Sequence, residues 1–328
     1  MDDEVDVLPE MIEAYWRDRA LNEKLELDSP DAIWDLMSRL REDAPSVLST
    51  KDLPIFFRGQ SRVDYAFSSS LYRLAKNGLE PGARVTENGL HRAEVAMMNA
   101  ARNQGLGRRM SAQQLLCLMQ HHLMPTRLID VSRDPFESLF FALDRDHDKD
   151  AVLFSVQPLL TDESWHDTEA GPGKGRDTSA DSSLPWEGLA RGETQADGSW
   201  TNNVILIDTP SLDPRMQAQS GVFLTGGLFR SYAGVSYDDK RAGPTYNTAL
   251  RNGLSTDLSN LAIMWTKNFK ASENYGFGAT GWVTVVPAEM KRELLNRLRD
   301  EEDIHRDSMY PPVAEVGRLV TTEAIRAF

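Results

Sequence analysis

A single cysteine, Cys117, stands in 328 residues, so no intrachain disulfide can form. That excludes a disulfide-stapled secreted scaffold and fits a reducing compartment. No run of 18 apolar residues occurs, which argues against a membrane-spanning helix. The opening stretch, Met1 to Met11, is acidic and lacks the basic and apolar regions of a signal peptide, so a cytoplasmic protein is expected. Positive charge is also short: 36 Lys and Arg against 50 Asp and Glu give a net charge of −14. A chain so acidic is not built to wrap a nucleic-acid backbone, and extended nucleic-acid binding is not expected. With 41% hydrophobic and 26% charged residues, the composition is that of a globular protein of one large or two ordinary domains.

Several catalytic signatures are missing too. There is no His-Glu-x-x-His string and no cysteine cluster. His121 and His122 are adjacent, so on a helix they point about 100° apart and cannot share a metal as an i, i+4 pair would. No metal is expected. Gly-x-x-x-x-Gly-Lys is absent, which removes the P-loop, and Gly-x-Ser-x-Gly is absent, which removes the simplest esterase motif.

What is present concentrates in two blocks. The denser runs from Gln120 to Ala142, QHHLMPTRLIDVSRDPFESLFFA. A strand is expected over Thr126 to Val131, followed by a helix with Asp134 as N-cap, Pro135 at the first position and Glu137 completing a capping box. Gln120 and His121 close a preceding helix that opens at Ser111, with Gln114 as its capping-box partner. Polar and titratable groups thus gather at strand–helix junctions, where ligands often sit in mixed α/β proteins. The second block is upstream. Leu53 to Phe57 reads as a buried strand with Arg58-Gly59-Gln60 as its polar exit, followed by Tyr65 and by Ser68-Ser69-Ser70-Leu71-Tyr72-Arg73. Between residues 51 and 75 four cationic side chains face two acidic ones, a basic spot suited to a small anion. An arginine just after a strand can grip a phosphate pair at two points. A structural alternative pairs Arg127 with Asp130 as a buried ion pair that only fixes the strand.

The strings FFRGQ, SSSLYR and LMQHHLMPTRLIDVSRDPFESLFFALD, in that order, resemble the FRG-domain family, named for its Phe-Arg-Gly motif. The segment Pro214 to Phe223 resembles the family's Arg-x-x-Ala-Gln-x-Gly-x-Phe unit, and Val283 to Lys291 with Tyr310-Pro311 its C-terminal unit. The layout is similar to that of ADP-ribosyltransferases. The resemblance implies an α+β fold with a split β-sheet core decorated by helices, and NAD as substrate. It also implies transfer of ADP-ribose or cleavage of NAD in a bacterial toxin or antiphage setting. Carried onto this chain, Arg58, His121, Asp130 and Gln219 would be the catalytic set. Arg58, Gly59, Gln60, Tyr72, Arg73, Gln120, Thr126 and Arg127 would hold the dinucleotide, with Tyr72 stacking on a ring. Gln219 falls where those enzymes place an acidic residue, and an amide cannot act as a general base. A nucleotide-sensing or protein-interaction module without catalysis is the alternative.

Around this core, residues 1–28 are expected to form an N-terminal helical extension and residues 29–328 the FRG domain. Two insertions fall at about 161–202 and 228–280. The first helix caps the core or, like the insertions, meets a protein partner. Thr248 to about Lys267 has helical apolar spacing, Val204 to Ile207 and Gly281 to Val286 read as strands, and a short helix is expected from Ala314.

Overall fold

The computed structural model describes residues 9–48, 53–80, 83–159, 200–201, 203–207, 221–229, 254–267 and 277–310. The chain is α+β. Seven strands form one mixed sheet in the order β4-β5-β2-β1-β3-β7-β6. They are β1 (Phe56–Gln60), β2 (Ile129–Ser132), β3 (Ala151–Pro158), β4 (Ile205–Ile207), β5 (Gly221–Thr225), β6 (Ile263–Trp265) and β7 (Ala279–Val286). All neighbours pair antiparallel except β6 and β7, which run parallel.

The central strands are apolar on both faces, so both faces are covered. On one side Phe57, Leu153, Trp282 and Val286 pack against α2 (Pro30–Val47), α6 (Pro135–Leu143) and α8 (Ala288–Glu302). On the other side Phe56, Phe154 and Val283 join Phe67, Trp265 and Trp16 of α1 (Pro9–Arg19). Trp16 is fully buried, and its ring meets Phe154 and Trp265 edge-on at 4.9 and 5.0 Å. The N-terminal helix is therefore a layer of the core.

Three local expectations need correction. β1 runs three residues later than the apolar pattern implies, so Arg58 sits mid-strand opposite Phe154 of β3 rather than at a polar exit. The run expected to be helical at 248–267 holds only the short α7 (Leu254–Leu258) before Ile263–Trp265 adds to the edge of β7; residues 248–253 lie outside the described set. A short apolar run does not distinguish strand from helix, and an open sheet edge decides it here. Glu137 does not close a capping box: the Asp134 amide donates to Ser132 Oγ at 2.9 Å, while the Asp134 side chain accepts from the Phe136 amide at 2.8 Å. The Ser111–Gln114 box of α5 (Ala112–His121) does form. The helix expected from Ala314 lies outside the described residues.

One Gly-x-Gly-x-x-Gly string, Gly276 to Gly281, runs into β7 and not into a helix N-terminus. A dinucleotide-binding turn would open a helix there, not a strand. Cys117 is buried, and burial pushes its thiol up to about 12, so it behaves as a core side chain. No described helix is long and apolar enough to cross a membrane.

Candidate functional site

β1 and β2 meet at a single register pair, Phe57 opposite Ser132. Beyond it the backbone ladder gives way to a side chain: Arg58 Nη1 donates to the Asp130 carbonyl at 2.6 Å. A cavity of about 830 Å³ opens there. Residues from both faces of β1 line it, Arg58 and Gln60 on one side and Phe57 and Gly59 on the other. α6 lines it through Glu137, Ser138 and Phe141, and α3 (Ser70–Asn77) through Tyr72 and Arg73.

Arg58 is a largely buried charge in this cavity. Its side chain is 19% exposed, and its Nε has no hydrogen-bond partner among the described residues. Burial lowers its pKa, the Asp130 charge opposes that, and the Arg73 charge adds to it. Arg73 is tied by its Nη1 to the Ser68 carbonyl. Two guanidinium groups thus share one cavity and repel each other, which favours an anion between them.

Asp130 is the open carboxylate. Its side chain is 60% exposed, and Oδ2 lies 3.8 Å from Arg58 Nη1. Gln120 Nε2 donates to Oδ2 at 2.7 Å. Thr126 Oγ1 in turn donates to Gln120 Oε1 at 2.6 Å and accepts the Leu128 amide. The threonine hydroxyl therefore fixes which end of the Gln120 amide faces Asp130. Leu123, at φ 58, closes α5 in the left-handed region, with the Met124 amide returning to the Met119 carbonyl at 2.9 Å. That turn brings Thr126 back over Gln120. Gln120 and Thr126, expected to touch the dinucleotide, are not on the cavity wall; they orient the carboxylate that is.

The other expected residues divide. His121 lines the cavity, its ring 5.3 Å from that of His122 and turned 75° from it. Tyr72 lines it but is only 5% exposed, and its hydroxyl donates to Asp257 at 2.7 Å, which Lys76 also holds at 2.6 Å. Little of that ring is open for stacking. Tyr65, which also lines the cavity and is 44% exposed, offers more face. Gly59 lines the cavity, yet its missing side chain serves packing: a Cβ there would lie 1.8 Å from the Ser138 carbonyl oxygen of α6. Sequence reasoning gave Glu137 only a capping role. It lies on the cavity wall and accepts the Ser132 hydroxyl at 2.5 Å. Asp257, from the second insertion, had no signal in the sequence. Gln219 lies outside the described residues.

Arg127 is the clear displacement. It is 1% exposed and does not reach the cavity. Nor does it pair with Asp130. Its Nε binds Glu94 at 3.0 Å and its Nη1 binds Glu87 at 3.0 Å, both on α4 (Glu87–Asn103). Burial alone would raise the Glu87 carboxyl. His91, the Arg127 charge and the Leu228 amide overcome it and hold the group at about 2, against 4.5 for the free side chain.

A group depressed in the fold stabilises above its free value and stops doing so as pH falls through its folded value. Glu87 should therefore contribute roughly 3 kcal/mol above pH 4.5, lost as pH falls toward 2. Urea midpoints measured from pH 6 to pH 3 should fall more steeply for the wild type than for Glu87→Gln. Parallel curves would remove Glu87 from the acid response.

Among the described residues no group of His, Cys, Asp or Glu is placed to hold a metal ion. A family model of the FRG domain matches residues 54–151, the span from just before β1 to the start of β3. No curated protein and no solved structure matches the chain.

Proposed function

As an FRG-domain protein, this chain, we propose, binds NAD in the opening between β1 and β2 and breaks the bond between nicotinamide and ribose. The observation that carries this is the convergence of Arg58, Arg73 and the open carboxylate Asp130 on one cavity. Its volume lies within the range of sites that hold cofactor-sized ligands. The similarity to ADP-ribosyltransferases, and with it the toxin or antiphage setting, belongs to this proposal.

Each residue then has a task. Arg58 and Arg73 hold the pyrophosphate, whose negative charge relieves their mutual repulsion. In the chemical step the C–N bond to ribose breaks and its electron pair leaves with nicotinamide. The sugar passes through a cationic state, as in glycoside cleavage. Asp130, aimed by Gln120, stabilises that charge where it develops. His121 takes the proton of the attacking acceptor or water.

The test is nicotinamide release beside NAD binding for the purified full chain. Asp130→Asn should lower release by about a hundredfold or more while changing affinity little. Arg58→Ala should weaken binding itself. Equal turnover in Asp130→Asn would remove Asp130 from the chemistry. Tight binding with no release in the wild type, with or without candidate protein acceptors, would favour a nucleotide sensor.

A further inference from the structure

We infer that the end of the cavity formed by Gln60 and Tyr65 is a recognition subsite for a planar heterocycle bearing an N–H donor. This rests on the dinucleotide assignment and adds the chemical group that the site selects.

Gln60 is 8% exposed and lines the cavity. It follows Arg58 by two residues on β1, so both side chains leave the same face, about 7 Å apart along the strand. That step is on the scale of the distance from a nucleotide's phosphate to its base. The Gln60 amide is oriented: Nε2 donates to the Ala66 carbonyl at 3.2 Å. Flipping it would set two oxygens against each other, so Oε1 is the end left over. That Oε1 is buried and has no hydrogen-bond partner among the described residues. A buried amide oxygen without a donor is costly, and an incoming N–H removes the cost. A ligand carbonyl at the same place would add a second acceptor and be rejected.

Tyr65 supplies the flat surface. Its ring is packed on one side by Arg62, whose guanidinium carbon lies 5.2 Å from the ring centroid, and Asp64 in turn holds Arg62 at 2.9 Å. Its backbone carbonyl accepts from Trp16 Nε1 at 2.9 Å, and the next carbonyl accepts from Gln60 itself. The acceptor and the aromatic platform are thus joined in one pinned loop, with the residue 44% exposed on the cavity wall. An exposed aromatic beside a fixed acceptor is what a stacked, amino-bearing ring requires.

In NAD two groups carry that chemistry, the carboxamide of nicotinamide and the amino group of adenine. Two analogues separate them. In 3-acetylpyridine adenine dinucleotide the carboxamide nitrogen is replaced by methyl; in nicotinamide purine dinucleotide the adenine amino group is replaced by hydrogen. The full chain and its Gln60→Met variant should be titrated calorimetrically with NAD and both analogues. One analogue should bind the wild type roughly 10- to 100-fold more weakly than NAD. In Gln60→Met that gap should close to within about threefold. Tyr65→Ala should weaken all three ligands alike and leave their ratio unchanged. Equal binding of NAD and both analogues by the wild type overturns the subsite, as does a gap that survives in Gln60→Met. The wild-type ratio needs no variant, so poor folding of Gln60→Met does not shield the inference. Binding of none of the three overturns the dinucleotide assignment itself, and the subsite with it.

Discussion

Alanine at position 59 is expected to leave little folded protein. The added Cβ would lie 1.8 Å from the Ser138 carbonyl oxygen and 2.6 Å from the Ala142 amide nitrogen. Both are backbone atoms of α6, so no rotamer change relieves the clash. Nor can α6 retreat, because Phe136, Leu139, Phe140 and Leu143 are held in the core shared with α2 and α8. The loss should exceed about 4 kcal/mol, a large part of the total stability of an ordinary domain. Gly78→Ala is the control. Its Cβ would come no closer than 3.5 Å to its nearest neighbour, and its urea midpoint should stay near that of the wild type. A Gly59→Ala protein with a wild-type midpoint would mean that α6 does not cross β1 at this spacing. The glycine of the Phe-Arg-Gly string is thus a packing residue that allows α6 to form a wall of the cavity.

Arg127→Met should be the second severe change, costing about 3–5 kcal/mol. The substitution keeps an apolar stem of similar length, so packing is largely retained. What it leaves is Glu94, 2% exposed, and Glu87, 14% exposed, with no arginine between them. Buried carboxylates stripped of their cation are costly. Adding Glu87→Gln and Glu94→Gln to Arg127→Met should recover part of the loss, because the uncompensated charges are then gone. If the triple variant is no more stable than Arg127→Met alone, the cost lies in shape and not in charge.

The sequence made some features readable because their determinants are local. Ser111 and Gln114, three residues apart, capped α5, and Pro135 opened α6 behind Asp134. The Phe-Arg-Gly string and the block from Gln120 to Ala142 marked the elements that enclose the cavity. Other features depend on residues far apart in the chain. Arg127 finds Glu87 and Glu94 some 33 to 40 residues upstream. A clue existed: Glu87, His91 and Glu94 recur at helical spacing alongside Leu90 and Met98, which puts charged groups on the buried face of α4. Asp257 reaches Tyr72 across 185 residues, and no local pattern announces such a bond. The run at Ile263 has helical apolar spacing, yet its conformation is set by the free edge of β7. Apolar character stops at Phe57, which puts Arg58 at the end of the strand pattern, while the backbone pairing with β3 continues to Gln60. The hydrogen bonds of β1, not its side chains, set where it ends.

The most direct test of the site is a calorimetric titration of the purified full chain with NAD, wild type beside Arg58→Ala. Saturable binding is expected in the wild type, with affinity reduced by roughly a hundredfold in Arg58→Ala, the loss that follows from removing a cation from a charge-assisted contact. A circular-dichroism melt of the variant checks that it folds. Wild-type protein that takes up no heat of binding with NAD, or Arg58→Ala that binds as the wild type does, would contradict the assignment of the β1–β2 opening as a dinucleotide site.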